Sequence, residues 1–420
     1  MRALLLQPYD AGSHHAWAEG LVGNSSLDWT VLRLPGRFWK WRMHGAAVSF
    51  ARMLPLSGRT PDVVLTTDML DLAAFRGLAG RRLDVPVALY MHENQLEYPD
   101  APLDDDWTPS RRRRAARPEV RYGWLNATAA LAADRVFWNS AHNRDSFLAA
   151  LPRFVRQFPD ERPEGLVDAI AAKSEILPLG LALPPPPARP NDAIDRPPRL
   201  VWNHRWEHDK DPDAFVALVA ALVAEGTRFE AVLLGETFGR VHPARARALE
   251  TLGDRVVHDG FAPDAGAYFA QLAASDVVVS TARHEFFGAS VCEAVWAGAW
   301  PILPRGLAYE GWMPDAAAPR VLYAGADDRL ALTRAALAAA ASPRARLARR
   351  AAQDALRSAI APFAWPAMAP RYDAALEAVV RRAGGGRPLV SAGDGPPIRA
   401  AGESNTAPRS DPAAHTNGRR

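Results

Sequence analysis

Short apolar runs alternate with helical patterns twice over, once on each side of a proline-rich stretch. This predicts an α/β protein built from two doubly wound, Rossmann-like halves. A second observation gives the halves a common purpose. The residues with chemistry to offer gather just after the predicted strands, and ligands of such sheets bind beyond the strands' carboxyl ends. Loops from the two halves therefore face each other across a cleft. A chain of 420 residues is long enough for two cores.

In the first half the strands are predicted at 3–7 (ALLLQ), 29–34, 62–67, 85–91 (VPVALYM) and 134–140, with helical patterns between them. The stretch 176–198 follows; its run of prolines offers a sheet no donors, and we expect a semi-rigid linker over 181–198 between a first half at 1–180 and a second at 199–362. The second half repeats the alternation. Its strands are expected at 199–204, 230–235, 254–260, 276–280 and 300–304, and its helices near 212–225, 264–274, 288–297 and 328–358. A last helix is expected over 363–382. The Gly- and Pro-rich residues 383–420 read as a disordered tail.

Composition narrows the function classes. Fifty basic residues against 47 acidic give a net charge of +3, which permits an anionic partner without demanding one. Cys292 is the single cysteine, so no disulfide and no cysteine-based zinc site is expected. No window approaches the roughly 18 apolar residues of a membrane span, and the first residues lack a signal-peptide pattern. A cytoplasmic protein with no membrane, metal or protein partner is the expectation.

The densest chemistry lies in STARHEFFGASVCEAV (280–295). Seven residues separate Glu285 from Glu293, which puts one before a helix and the other on its second turn. The helix start brings unpaired N–H groups and partial positive charge, suited to phosphate, and Gly288 and Ala289 allow close backbone approach. In WNHRWEHDKDP (202–212), Arg205 and Lys210 lie in a strand-to-helix loop, where two cations would stabilise a departing diphosphate. Their plain alternative is a solvated loop with ion pairs to Glu207 and Asp209. Gly235 and Glu236, ending another strand, fit a nucleotide-approach loop. In the first half Gly12 opens a strand-to-helix turn, with His14 beside it. His92, Glu93 and Asn94 crowd another strand end and suit hydroxyl or acceptor recognition. Asp104, Asp105 and Asp106 read as an acidic surface turn. Next, Arg111, Arg112, Arg113 and Arg114 begin a basic run, either a solvated loop or a contact to nucleic-acid phosphates. RFWKWR (37–42) is a second basic–aromatic stretch.

With these residues on the page, the second half resembles the retaining glycosyltransferases of the GT-B fold. More narrowly, GSHH, LPGRFWKWRMHGAA, YMHENQLEYP, YGWLNATAAL, WNHRWEHDKDP, LLGETF and STARHEFFGASVCEAV together resemble the tRNA-queuosine α-mannosyltransferases, over about residues 3–375. The resemblance implies GDP-mannose as donor, queuosine at a tRNA wobble position as acceptor, retention of configuration and no metal or other cofactor. It implies that Arg205 and Lys210 contact the diphosphate and Glu285 the mannose hydroxyls. Glu293 would take the ribose, and the Gly288 and Ala289 N–H groups a phosphate. His92 would lie beside the reacting sugar, with Gly12 near the donor phosphate. It also implies a final helix returning to the first half. The stretch 100–117 departs from the family pattern on the side where an acceptor would dock. Two rivals remain: a transferase of the same fold using another sugar nucleotide or acceptor (a polyol, lipid or cell-wall precursor), and a non-enzymatic RNA-binding protein.

Overall fold

The computed structural model describes residues 1–54, 60–97, 120–186, 196–235 and 242–384. Glu236, the acidic triplet 104–106, Arg111, Arg112, Arg113, Arg114, residues 187–195 of the expected linker and the tail from 385 onward lie outside the described residues.

Two six-stranded sheets, parallel throughout, organise the chain. The first contains β1 (Arg2–Asp10), β2 (Asp28–Pro35), β3 (Val63–Thr67), β4 (Val87–Met91), β5 (Arg135–Trp138) and β6 (Ser174–Ile176), in the order β2-β1-β3-β4-β5-β6. The second contains β7 (Arg199–Trp202), β8 (Glu230–Leu233), β9 (Val256–Asp259), β10 (Val277–Val279), β11 (Trp300–Pro304) and β12 (Leu322–Tyr323), in the order β12-β11-β10-β7-β8-β9. Parallel strands are covered on both faces, so they read as unbroken apolar runs. VALYM in β4 and VVV in β10 are buried at every position.

Helices α1 (Gly12–Asn24), α2 (Trp39–Met53), α3 (Leu72–Ala79), α4 (Val120–Ala132), α5 (Ala141–Val155) and α6 (Leu166–Ala171) belong to the first half. The second half carries α7 (Pro212–Ala224), α8 (Pro243–Leu252), α9 (Ala265–Ala273), α10 (Ala289–Ala297), α11 (Ala318–Val321), α12 (Ala326–Ala340) and α13 (Pro343–Ile360). Local chemistry starts several of them. Ser140 caps α5 by accepting from the Asn143 N–H, and Asp211 caps α7 with Pro212 at the first position, where a missing N–H costs nothing. The helix expected over 328–358 is two helices. Ser342 accepts from the Ala345 N–H at 3.3 Å and Pro343 opens α13, so the chain stops and restarts there. Strands β6 and β12 and helix α8 are additions to the expected elements.

The final helix, α14 (Trp365–Gly384), packs on the first sheet rather than the second. Trp365, Met368, Tyr372, Leu376 and Val379 share a core with Leu5, Trp17 and Tyr90. At its start the returning chain pairs with the departing one: Leu181 N–H donates to Phe363 O at 2.7 Å and Trp365 N–H to Leu181 O at 3.1 Å.

Each sheet has one place where the chain reverses its direction of winding, between β1 and β3 in the first and between β7 and β10 in the second. At such switch points the loops beyond the strand ends part and leave a crevice. Gly12 and His14 follow β1, Asp68 follows β3, Arg205 follows β7 and Glu285 follows β10.

Candidate active site

On the second half, the loop after β7 and the start of α10 are joined by charge. Lys210 Nζ lies 3.0 Å from Glu285 Oε2 and 3.2 Å from Asp209 Oδ2, and also donates to His284 O at 3.2 Å. Burial pulls the Lys210 ammonium down, but Glu285 and Asp209 outweigh it and hold the pKa above lysine's ordinary value. Burial likewise works against an ionised Glu285 and Asp209, and Lys210 reverses that, leaving both carboxyls below their ordinary range. All three are charged at neutral pH. Arg205, 40% exposed, pairs with Glu207 at 2.9 Å and faces Asp209 at 3.9 Å, so the local ion pairs of the plain reading also exist.

Glu285 has a second task. Its Oε1 accepts from the Gly288 N–H at 2.9 Å, satisfying one of the orphan donors at the start of α10. Gly288 sits at φ 92° with Tyr309 where a Cβ would go, so no other residue fits without strain. One turn on, Glu293 accepts from Tyr268 Oη at 2.9 Å, and Asn203 donates to the same Oη at 3.2 Å and to Ser290 O at 2.7 Å. Burial raises the Glu293 carboxyl to about 7. Glu285 is thus a fixed anion beside a fixed cation, whereas Glu293 is a neutral or half-ionised group that can donate or accept.

On the first half, His14 and His92 are both buried with ring centroids 4.5 Å apart, and Trp17 meets His92 edge-on at 4.8 Å. His92 is placed by backbone bonds: its N–H donates to Asp68 Oδ1 at 2.9 Å and its carbonyl accepts from Asn139 at 2.8 Å. Burial, then the charge of Arg205, lowers His14 to about 4, and burial with His14 nearby keeps His92 well below 6.5, so both rings are neutral. His14 Nδ1 and His92 Nε2 are buried without protein partners among the described residues. Asp68 is pushed to about 8 by burial and the charge of Glu93.

The two halves meet here. Ser140 Oγ donates to Phe286 O at 2.6 Å, and the His142 ring stacks on Phe286 at 6.2 Å. Arg205 from the second half acts electrostatically on His14 and Glu93 of the first. Gly12, at φ 52°, has open space where a Cβ would stand.

The structure therefore brings together Gly12, His14, His92, Glu93, Arg205, Lys210, Glu285, Gly288, Ala289 and Glu293 around the facing strand ends. It does not bring Asn94 there. Asn94 is fully buried, donates to Ser146 and accepts from the Leu96 N–H, and so serves as the brace of its own loop. Packing alone requires glycine at 235: an added Cβ would lie 2.1 Å from His204 O. Asp68, His204, Asp209 and Tyr268 join the site without having been picked out as ligand residues. Asp68 follows β3 as His92 follows β4, so strand-end position alone marks it; Tyr268, inside α9, carries no such signal. Among the described residues no group of three or more His, Cys, Asp and Glu converges as a metal site, and no helix is long and apolar enough to cross a membrane.

Comparison with known proteins gives the family and the fold. The N-terminal family model of tRNA-queuosine alpha-mannosyltransferase matches residues 2–181. The tRNA-queuosine alpha-mannosyltransferase of Drosophila melanogaster is 30% identical over 315 residues, which cover 73% of this chain and 80% of the relative. Among solved structures, sucrose-phosphate synthase from Thermosynechococcus elongatus superposes with a TM-score of 0.63 at 14% identity, over 91% of this chain and 99% of the other. A UDP-forming trehalose-phosphate synthase from Burkholderia xenovorans gives 0.60 at 12% identity, over 90% and 98%. The structural neighbours show the fold, GT-B. The sequence relatives show the family: the chain is a glycosyltransferase that belongs to the tRNA-queuosine α-mannosyltransferases.

Proposed function

We propose that the chain moves mannose from GDP-mannose to queuosine at the wobble position of tRNA, with retention of configuration. The observation that carries the donor half is the Lys210–Glu285 pair at the start of α10, with Arg205 alongside. A diphosphate entering beside Arg205 and Lys210 would find two cations and the α10 N-terminus, and its growing charge on departure is what such a site stabilises. Glu285, held ionised, accepts hydroxyls of the sugar. Glu293, with Tyr268, takes the ribose. Ala289 offers a backbone N–H group, that of Gly288 being held by Glu285 Oε1, and Gly12 approaches the phosphate from the opposite lip. His92, neutral and with an Nε2 that has no partner among the described residues, would lie beside the reacting sugar. In this mechanism the leaving phosphate helps to deprotonate the acceptor, so no protein nucleophile is required and positioning supplies most of the acceleration. Glu93 and His14 are the acceptor-side candidates we retain among the described residues. A tRNA acceptor fits a cytoplasmic site of action.

The acceptor and the sugar rest on the Drosophila relative's description and on the sequence resemblance; the guanine base rests on the resemblance alone. The test is direct. The protein is incubated with GDP-mannose and queuosine-containing tRNA, the tRNA is digested, and queuosine is examined for a hexose mass increment. The increment is expected with GDP-mannose and not with UDP-glucose. Its absence, with transfer to a lipid or small polyol instead, sinks the acceptor assignment.

A further inference from the structure

One part of the first half has no use in the site just described. At the start of α2 two large aromatic rings stand in solvent: Phe38 is 74% exposed and Trp41 63%. Phe38 also holds φ 55° and ψ 53°, the left-handed region that a residue with a bulky side chain leaves wherever it can. A glycine or asparagine would cap the helix there without strain. A ring that neither packs nor relaxes the backbone is a feature kept for something outside the chain.

The surroundings say what it fits. Arg37 and Lys40 are exposed at the same start of α2, with Lys40 Nζ 5.5 Å over the Trp39 ring and 5.7 Å over that of Tyr122, and Arg42 donates from Nε to Pro35 O at 3.1 Å, which fixes its guanidinium at the same end of the helix. Trp41 reaches over Gly45, where an added Cβ would meet its ring at 2.7 Å, so the indole rests against the helix and forms a shelf. Behind the shelf Trp39 packs on Met43 and Tyr122, and Tyr9 packs on the same cluster and meets the His14 ring at 5.8 Å. Gly36 abuts Ala11, the residue before Gly12, with a would-be Cβ 2.1 Å from the Ala11 Cβ. The shelf is therefore continuous with the N-terminal lip of the cleft.

We propose that Phe38 and Trp41, with Arg37, Lys40 and Arg42 at the same end of α2, form a stacking platform for unpaired bases of an RNA acceptor whose modified base enters the cleft. Flat rings take bases of any sequence by stacking, and cations set round them take the phosphates between those bases. The proposal rests on the acceptor being RNA, and deepens that reading by assigning the surface that holds it.

The experiment uses the full chain and a fluorescein-labelled RNA hairpin with an unpaired loop, its binding followed by anisotropy. Phe38→Gly removes one ring and relieves the left-handed strain, so folding is not put at risk; Trp41→Ala removes the other. Each is expected to weaken hairpin binding about tenfold. GDP-mannose should still stabilise both variants against heat as it does the wild type, and the loss with acceptor tRNA should appear in KM rather than kcat. Unchanged hairpin affinity in the double variant overturns the proposal. So does binding to phosphatidylserine vesicles that the double variant loses while hairpin binding persists, because the platform would then be a membrane contact. Failure of the acceptor reading looks different: the wild type adds no hexose to queuosine, yet the variants still lose the hairpin.

Discussion

Lys210 is held between two carboxylates, and the arrangement makes single and double substitutions diverge. In Lys210→Ala, Asp209 at 3% side-chain exposure and Glu285 at 16% lose the cation between them, and only Arg205, 3.9 Å from Asp209, remains nearby. A buried charge left unpaired costs about 3–5 kcal/mol, and urea denaturation is expected to record a loss of that order. Adding Glu285→Gln removes one of the stranded charges while its amide oxygen can still accept the Gly288 N–H, so much of the stability should return. Transfer should not: both variants are expected to lose at least tenfold in kcat/KM. Recovery of transfer along with stability would mean that the pair is structural only. These two residues were legible in the sequence because a charged loop and a Glu spacing each sit after a strand. Their mutual contact was not, since it spans 74 intervening residues and depends on β7 and β10 lying side by side. Tyr268 was illegible for a related reason. It reaches Glu293 from the middle of a helix, and nothing in AGAYFAQLA distinguishes a buried hydroxyl with a task from ordinary core.

α14 acts as a strap from the second half back to the first, and its hold is polar at one point and apolar along its length. Asp373 accepts from Ser25 Oγ at 2.5 Å, from Ser26 N at 2.8 Å and from Ser26 Oγ at 2.7 Å, all at the C-terminal end of α1. Asp373, itself only 7% exposed, loses three charge-assisted hydrogen bonds in Asp373→Ala, and with Ser25 half-buried and Ser26 exposed to water the change is expected to cost about 1–2 kcal/mol. The check is urea denaturation; a midpoint within error of the wild type would mean water replaces the carboxylate at no cost. Trp365 fills the space over Gly20 and Gly180, where added Cβ atoms would fall 1.8 and 2.4 Å from its ring, so Gly180→Ala should push the strap outward and lower the melting temperature as well. The strap's apolar stripe at 365, 368, 372, 376 and 379 has helical spacing and could be read from the chain. The same rule explains what escaped. Helix α8 buries Ala244, Ala248 and Leu252, a correct period made mostly of alanines, so its pattern hardly contrasts with its surroundings. β6 and β12, at three and two residues, are edge strands too short to show any period.

Across the whole molecule, two sets of buried groups pull stability in opposite directions as pH changes. His14 and His204 are lowered to about 4 and His92 well below 6.5, by burial first and then by positive or imidazole neighbours. As pH falls below 6.5, the unfolded chain takes up protons that these rings refuse. Their contribution is therefore complete above 6.5 and is lost on the way toward 4. Asp68 and Glu293 act in the other sense. Burial, joined at Asp68 by the charge of Glu93, raises them to about 8 and about 7 from ordinary values of 3.8 and 4.5. The native state then keeps protons the unfolded chain has released, and this contribution is complete at low pH and lost as pH rises through 7 and 8. His142 and His284 are lowered too and Glu93 raised, each by burial first, so just below pH 6.5 five histidines oppose three carboxylates and stability climbs with pH; above it the carboxylates dominate and stability falls. Each unmatched proton is worth about 1.4 kcal/mol per pH unit. The ligand-free protein is expected to be most stable near pH 6.5, with thermal melts recording a lower midpoint toward both about pH 5 and about pH 9. In Asp68→Asn/Glu293→Gln the alkaline limb should flatten while the acid limb stays. An unchanged alkaline limb in that variant would move the titrating groups elsewhere. A flattened limb would tie the optimum to the same two strand-end crevices that hold the proposed donor and acceptor residues, because Asp68 stands at one and Glu293 at the other.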